Sequence, residues 1–257
     1  MKNKVILISI DGMRPDGFLS CGNDYIGTLM ENATYTMKGR SCYPSVTLPC
    51  HLSMFLSVPP ERHSTLGNTY NPPVRPVSGL FEVLHAGGKK NAMLYGWEEL
   101  RDISRPGSLD FAYYLESYSV PSTDTVLTDK ALEYIKESSP DFLFLYLVET
   151  DTKGGHDEGW MSEEYLRRIS IAVDCVKRVI ETVGEEYTVI ITADHGGHAR
   201  GHGGDGDEDM TIPMLFIGDG FEKGRETEGI TLLDIAPTVA HIMGITPPRE
   251  WEGRSIL

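Results

Sequence analysis

Five short apolar runs punctuate the chain: VILISI at 5–10, NAMLY at 91–95, FLFLYLV at 142–148, TVIIT at 188–192 and PMLFI at 213–217. Continuous runs of this length, rich in β-branched and aromatic residues, predict strands buried on both faces. Between them the spacing turns helical. TLPCHLSMFLS (47–57) opens on Thr and Pro, and 77–86 is amphipathic and ends at Gly87 and Gly88. The stretch 162–183 starts from Ser162 as a cap, and LLDIAPTVAHIMGI (232–245) is capped by Asp234 and closed by Gly244. Strands alternating with helices predict an α/β fold, a mainly parallel sheet covered by helices on both faces, in one domain over 1–257. Residues 97–125 fit least well. Their aromatic and turn-rich character (Trp97, Phe111, Tyr113, Tyr114, Tyr118) reads equally as a small cap over a site or a surface excursion.

Three of the buried runs empty onto acids. TVIIT leads through Ala193 to Asp194 and His195, VILISI leads to Asp11, and FLFLYLVET leads to Asp151 with His156 soon after; His202 lies just downstream of the first pair. Carboxylate and imidazole together suit a borderline-soft divalent cation, and open α/β sheets bind ligands at the carboxyl ends of their strands. Thr47 sits where a helix begins, with Pro49 in the first turn, where free N–H groups and the positive helix end favour an alkoxide and an anionic substrate. In isolation Thr47 reads more readily as a plain N-cap, and the acids at the strand ends reverse that preference.

Composition narrows the class. A 257-residue chain with 40% apolar residues can bury a large core, and a formal net charge of −15 argues against nucleic acid as the main partner. No run reaches transmembrane length, and the six apolar residues after MKNK are too few for a signal-peptide core. Cys21, Cys42, Cys50 and Cys175 lack CxxC spacing and read as reduced thiols, which sets the expectation of a cytoplasmic protein with no membrane role. Oligomeric state is not legible.

Taken in order, VILISIDGMRPDGF, YPSVTLPCHLSMFLS with ERHSTLGN, GGHDEG, TADHGGHARGHGG and IPMLFIGDGF resemble the alkaline phosphatase superfamily, nearest its type I phosphodiesterase and nucleotide pyrophosphatase branch. LLDIAPTVAHIMGI and WEGRSIL resemble its closing segment. The resemblance implies a three-layer alkaline-phosphatase-like sandwich with two divalent ions, zinc first, with manganese or iron sharing the donor set. It assigns Asp11, Thr47, Asp194 and His195 to one ion and Asp151, His156 and His202 to the other. Asn68 would hydrogen-bond a phosphoryl oxygen. Thr47 would attack, giving a phosphothreonine-type intermediate that water then hydrolyses. The implied substrate is a small phosphodiester or nucleotide pyrophosphate.

Two positions depart from the family spacing. Asp151 precedes His156 by five positions, one more than usual, because the loop reads DTKGGH; Glu149 or Asp157 is the competing carboxylate. His198 competes with His202, which the family spacing favours, while His51 and His63 read as structural and His241 as a helix-packing histidine. A phosphomonoesterase or phosphonate-cleaving enzyme is the alternative chemistry, and a non-catalytic metal-binding module is a third reading. A sulfatase is disfavoured by threonine at the nucleophile position, and a mutase by its serine nucleophile and large inserted domain.

Overall fold

The computed structural model of the protein describes residues 3–257. Eight strands form one sheet: β1 Val5–Ile10, β2 Thr34–Arg40, β3 Asn91–Tyr95, β4 Phe111–Tyr114, β5 Phe142–Leu147, β6 Thr188–Thr192, β7 Thr211–Ile217 and β8 Arg225–Glu226. Their spatial order is β4-β3-β5-β1-β6-β7-β2-β8, with β7 antiparallel to both neighbours and every other pair parallel. The sheet is therefore mainly parallel, as the alternation predicts. Every residue of β1, β5 and β6 is buried, because helices cover both faces.

The helices are α1 Pro15–Ser20, α2 Tyr25–Asn32, α3 Thr47–Leu56, α4 Pro60–His63, α5 Leu80–Ala86, α6 Thr123–Ser138, α7 Glu163–Val183, α8 Asp207–Met210 and α9 Ile235–Ile242. Helices α3, α5 and α9 pack together, and α1, α2 and α6 pack on α7, giving the outer layers of a three-layer α/β sandwich. Long α7 puts Tyr165, Ile169, Ala172, Val173, Val176 and Val179 inward at helical spacing. Its cap is as expected, with the Ser162 hydroxyl accepting from the Tyr165 N–H at 3.1 Å. No helix of the described residues is long and apolar enough to cross a membrane.

Several local expectations shift. The helix predicted over 77–86 starts at Leu80, behind Gly79, whose N–H is taken by Glu82 Oε2 at 2.8 Å. Asp234 does not cap α9 with its side chain; a 3-10 turn precedes the helix and the carboxylate accepts from the N–H groups of Thr231 and Arg254. His241 is exposed and bonds Ser255 Oγ at 2.8 Å, so it does not pack a helix. Residues 97–125 supply a 3-10 turn (Glu98–Ile103) and the parallel edge strand β4. Strand β2 carries a bulge between Thr36 and Gly39, opposite Pro213 of β7, which has no N–H to offer the ladder.

Candidate metal centre and nucleophile

Strands β5, β1 and β6 are neighbours in the sheet, so the three acids expected at strand ends arrive side by side. Asp11 N–H bonds Leu147 O at 2.9 Å, which continues the β1–β5 ladder by one residue and fixes where its carboxylate emerges. Gly12 then turns at φ +65°, a left-handed conformation that suits glycine, and its N–H bonds Asp194 Oδ1 at 3.2 Å. Asp11, Asp151 and Asp194 are all buried. One oxygen of each, Asp11 Oδ1, Asp151 Oδ1 and Asp194 Oδ2, has no hydrogen-bond partner among the described residues. Three orphaned carboxylate oxygens facing one buried space are costly unless a cation or protons compensate them.

The histidines complete the donor set. His195 Nδ1 bonds Gly196 O (2.7 Å), His202 Nδ1 bonds Ser45 O (2.8 Å) and His156 Nδ1 bonds Arg200 O (3.0 Å). A carbonyl only accepts, so each ring carries its proton on Nδ1 and presents the Nε2 lone pair to the carboxylates. His195 Nε2 lies 3.3 Å from both Asp11 Oδ1 and Asp194 Oδ2. His156 Nε2 is 3.5 Å from Asp151 Oδ2, and His202 Nε2 is 3.8 Å from Asp151 Oδ1. Two groups emerge with donor atoms within 4.8 Å of one another: Asp11, Asp194 and His195, and Asp151, His195 and His202. His195 belongs to both, its ring stacked on His202 at 3.8 Å, while His156 approaches from the solvent side through Asp151. The chemistry of these donors fits divalent cations.

Thr47 is the first residue of α3, with Val46 as its N-cap, so the hydroxyl caps nothing. It points instead to His195 Nε2 at 3.1 Å. Asn68 Oδ1 accepts the Leu48 N–H at 3.2 Å, which aims its amide NH₂ away from the helix. Both residues line a pocket of about 170 Å³ with Asp11, Trp97, Asp151 and His202. The competing carboxylates lie elsewhere: Glu149 is paired with Lys153 and Arg168, and Asp157 meets the exposed Tyr118 hydroxyl at 3.3 Å. His198 is exposed and bonds Asp209 Oδ1 at 2.7 Å. The extra residue in DTKGGH is absorbed by a π-helix, Thr150–His156, whose wider turn keeps both Asp151 and His156 at the pocket.

The charges are unevenly held. Burial and the neighbouring Asp151 and Asp194 carboxylates push Asp11 well above the usual carboxylate range, and burial raises Asp151 to about 6. Burial works against the Asp194 carboxylate as well, yet His195 and His51 hold it below the ordinary value. Burial and the adjacent His195 lower His202 to about 3, which keeps its ring neutral.

Three residues with no expected role shape this site. His51 bonds Thr47 O at 2.8 Å and Ser9 Oγ at 3.1 Å, and its Nδ1 is 3.4 Å from Asp194 Oδ2, so a structural histidine sits directly beneath the centre. The Tyr146 hydroxyl donates to Asp11 Oδ2. Trp160 is buried, with Nε1 donating to Gly12 O at 2.9 Å. A Cβ at Gly197 would come within 2.2 Å of the indole and one at Gly155 within 2.6 Å, so both glycines let the ring reach the floor of the site.

The model of the metalloenzyme superfamily matches residues 115–247, just over half of the 257-residue chain. The chain belongs to that superfamily. Residues 5–87 match the type I phosphodiesterase / nucleotide pyrophosphatase model, which agrees with an alkaline phosphatase superfamily member of that branch. Asp11, Thr47 and Asn68 fall in the second match, and Asp151, His156, Asp194, His195 and His202 in the first. Among curated relatives, ectonucleotide pyrophosphatase/phosphodiesterase family member 1 of Rattus norvegicus is 28% identical over 74% of this chain and 24% of its own length. The 2,3-bisphosphoglycerate-independent phosphoglycerate mutase of Clostridioides difficile is 29% identical over 51% of this chain and 26% of its own. The chain thus spans about a quarter of the length of these relatives. In fold, murine ectonucleotide pyrophosphatase/phosphodiesterase 5 matches with TM-score 0.81 at 16% identity, over 95% of this chain and 96% of the other. A 2-O GAG sulfatase matches with TM-score 0.78 at 16% identity, over 100% and 73%.

Proposed function

We propose that this metalloenzyme hydrolyses phosphodiester or nucleotide pyrophosphate bonds, with Thr47 as nucleophile. Asp11, Thr47, Asp194 and His195 would hold one divalent ion, and Asp151, His156 and His202 the other. Zinc suits these oxygen and imidazole donors best, with manganese or iron using the same set. When bound, such ions lower the pKa of a coordinated hydroxyl or water and neutralise phosphoryl oxygens.

The residues themselves do the rest. The Thr47 hydroxyl stands at the N-terminus of α3, where the positive end of the helix dipole favours the alkoxide. His195 Nε2, at 3.1 Å, accepts from that hydroxyl in the metal-free protein. The Asn68 NH₂ would donate to a non-bridging oxygen of the phosphoryl group, and Trp97 lines the same pocket. Attack of the Thr47 oxygen on phosphorus would break the P–O bond to the alcohol or nucleotide leaving group and leave a phosphoryl ester on Thr47, whose own P–O bond water would then cleave to release the second product.

The observation that carries the diester reading is the pocket lining: among the described residues it contains carboxylates, imidazoles, hydroxyls and an amide, and no lysine or arginine. A diester brings one negative charge and a monoester two, so a lining without fixed cations favours the diester. The murine phosphodiesterase 5 of this fold has also been captured with AMP, in an inactive form. The four free thiols support a reducing, cytoplasmic location. Turnover of bis-p-nitrophenyl phosphate against p-nitrophenyl phosphate on metal-loaded protein is the test. Faster diester cleavage is expected; faster monoester cleavage would move the assignment to the phosphomonoesterase alternative.

A further inference from the structure

The π-helix Thr150–His156 carries two of the proposed ligands, Asp151 and His156, on one turn. Helices of this type are rare and need outside support to persist. On one side the turn lies flat against aromatic rings. A Cβ at Gly154 would meet Tyr165 Cα at 3.0 Å, and one at Gly155 would meet the Trp160 ring at 2.6 Å. Lys153 ties the turn to neighbouring segments. Lys153 Nζ donates to Glu149 Oε1 at 2.5 Å, Val120 O at 3.1 Å and Pro121 O at 3.2 Å, which engages all three ammonium protons. Glu149 is itself buried and fixed by the Thr123 N–H at 3.1 Å and Arg168 at 3.3 Å.

We propose that Lys153 is a positioning residue for the Asp151 and His156 half of the metal centre, bracing the π turn against Glu149 and the 120–121 segment. It stands between the two ligands in sequence, inside the insertion that makes this loop one residue longer than the usual spacing. It does not line the pocket, whereas its neighbour Thr152 does, so it acts on the ligands and not on the phosphate. The brace also gives the 97–125 stretch a role as a buttress behind the metal loop.

This inference rests on the two-ion reading, and the test separates the two. Stripped wild-type protein, Lys153→Met and Lys153→Arg are titrated with zinc against a chromophoric chelator, with melting temperature recorded on the same samples. Wild type should bind two ions; fewer than two would overturn the underlying reading. K153M should keep its first ion within about twofold and bind the second about 10–100-fold more weakly, the usual effect of losing a partner behind a metal ligand. K153R should recover part of the loss. Two ions in K153M with wild-type affinities would overturn the positioning role alone, as would equal weakening of both ions with a fall in melting temperature. Should K153M not fold, K153Q, which keeps donors for the carbonyls of Val120 and Pro121, carries the same comparison.

Discussion

Asp11→Asn should make the metal-free protein more stable and the zinc-loaded protein less so. The reason is the cluster of buried oxygens. Asp11 and Asp194 each have an oxygen without a hydrogen-bond partner among the described residues, and the donor atoms of Asp11, Asp194 and His195 lie within 4.8 Å of one another. At an effective dielectric near 20, two carboxylates at that separation repel by about 3.5 kcal/mol. Relaxation reduces this, and about 2 kcal/mol is a reasonable net gain when one charge is removed. The amide oxygen still accepts from Tyr146, and the new NH₂ can donate to Asp194 Oδ2, so little is lost in exchange.

The sign with pH follows from the raised Asp11 pKa. A carboxyl raised by folding contributes stability below its unfolded value and loses it as pH rises through the folded one. Metal-free wild type should therefore weaken on going to alkaline pH, and the variant should not follow this loss. Thermal melts in EDTA at pH 8 should place Asp11→Asn about 4–8 °C above wild type. Toward acid pH, where a carboxyl raised by burial takes up its proton, the gap should shrink. With zinc at pH 8 the order should reverse, because a proposed ligand is gone. An Asp11→Asn protein that melts below wild type in EDTA, or shifts equally with and without zinc, would refute the reasoning.

Other substitutions probe the supports. Gly197→Ala would drive a methyl group to 2.2 Å from the Trp160 indole and displace the loop between His195 and His202. It should cost about 1–3 kcal/mol in urea unfolding and at least about tenfold in turnover. Asp124 is buried beneath β5, accepts the Val148 N–H at 2.8 Å, and is raised to about 7 by burial and Glu149. Because its stabilising contribution is lost as pH rises toward 7, wild type should lose about 2–3 kcal/mol from this group between pH 5 and 8. Asp124→Asn should show a correspondingly flatter pH dependence in urea unfolding; parallel curves would contradict the assignment.

The parts of this site that lie at the ends of buried runs were legible in the sequence. TVIIT, VILISI and FLFLYL are buried on both faces, so a polar residue at their exits stands out, and Asp11, Asp151 and Asp194 were visible for that reason. Strand β2 was not, because TYTMKGR alternates burial and carries Lys38 and Gly39 toward a bulge. Tyr146 hid inside an apolar run. Its hydroxyl matters only because Ser9 and Tyr146 are in register across β1 and β5, which local sequence does not specify. Its signal was a hydroxyl-bearing residue just before the end of a fully buried strand. His51 left a trace too, four residues after Thr47 and hence on the same helix face, but its contact with Asp194 depends on how α3 packs on the sheet. The five-residue spacing from Asp151 to His156 looked like a defect in the motif, and a π turn resolves it at no loss of convergence.

The central claim is that Thr47 attacks phosphorus. Metal-loaded protein turning over a phosphodiester should be quenched in acid, digested, and examined by mass spectrometry for the peptide containing Thr47. A mass increase equal to the retained phosphoryl ester on Thr47, absent from Thr47→Ala protein that still binds two metal ions, is the predicted result. Steady turnover by Thr47→Ala at the wild-type rate, with no adduct at Thr47 of the wild-type protein, would contradict it.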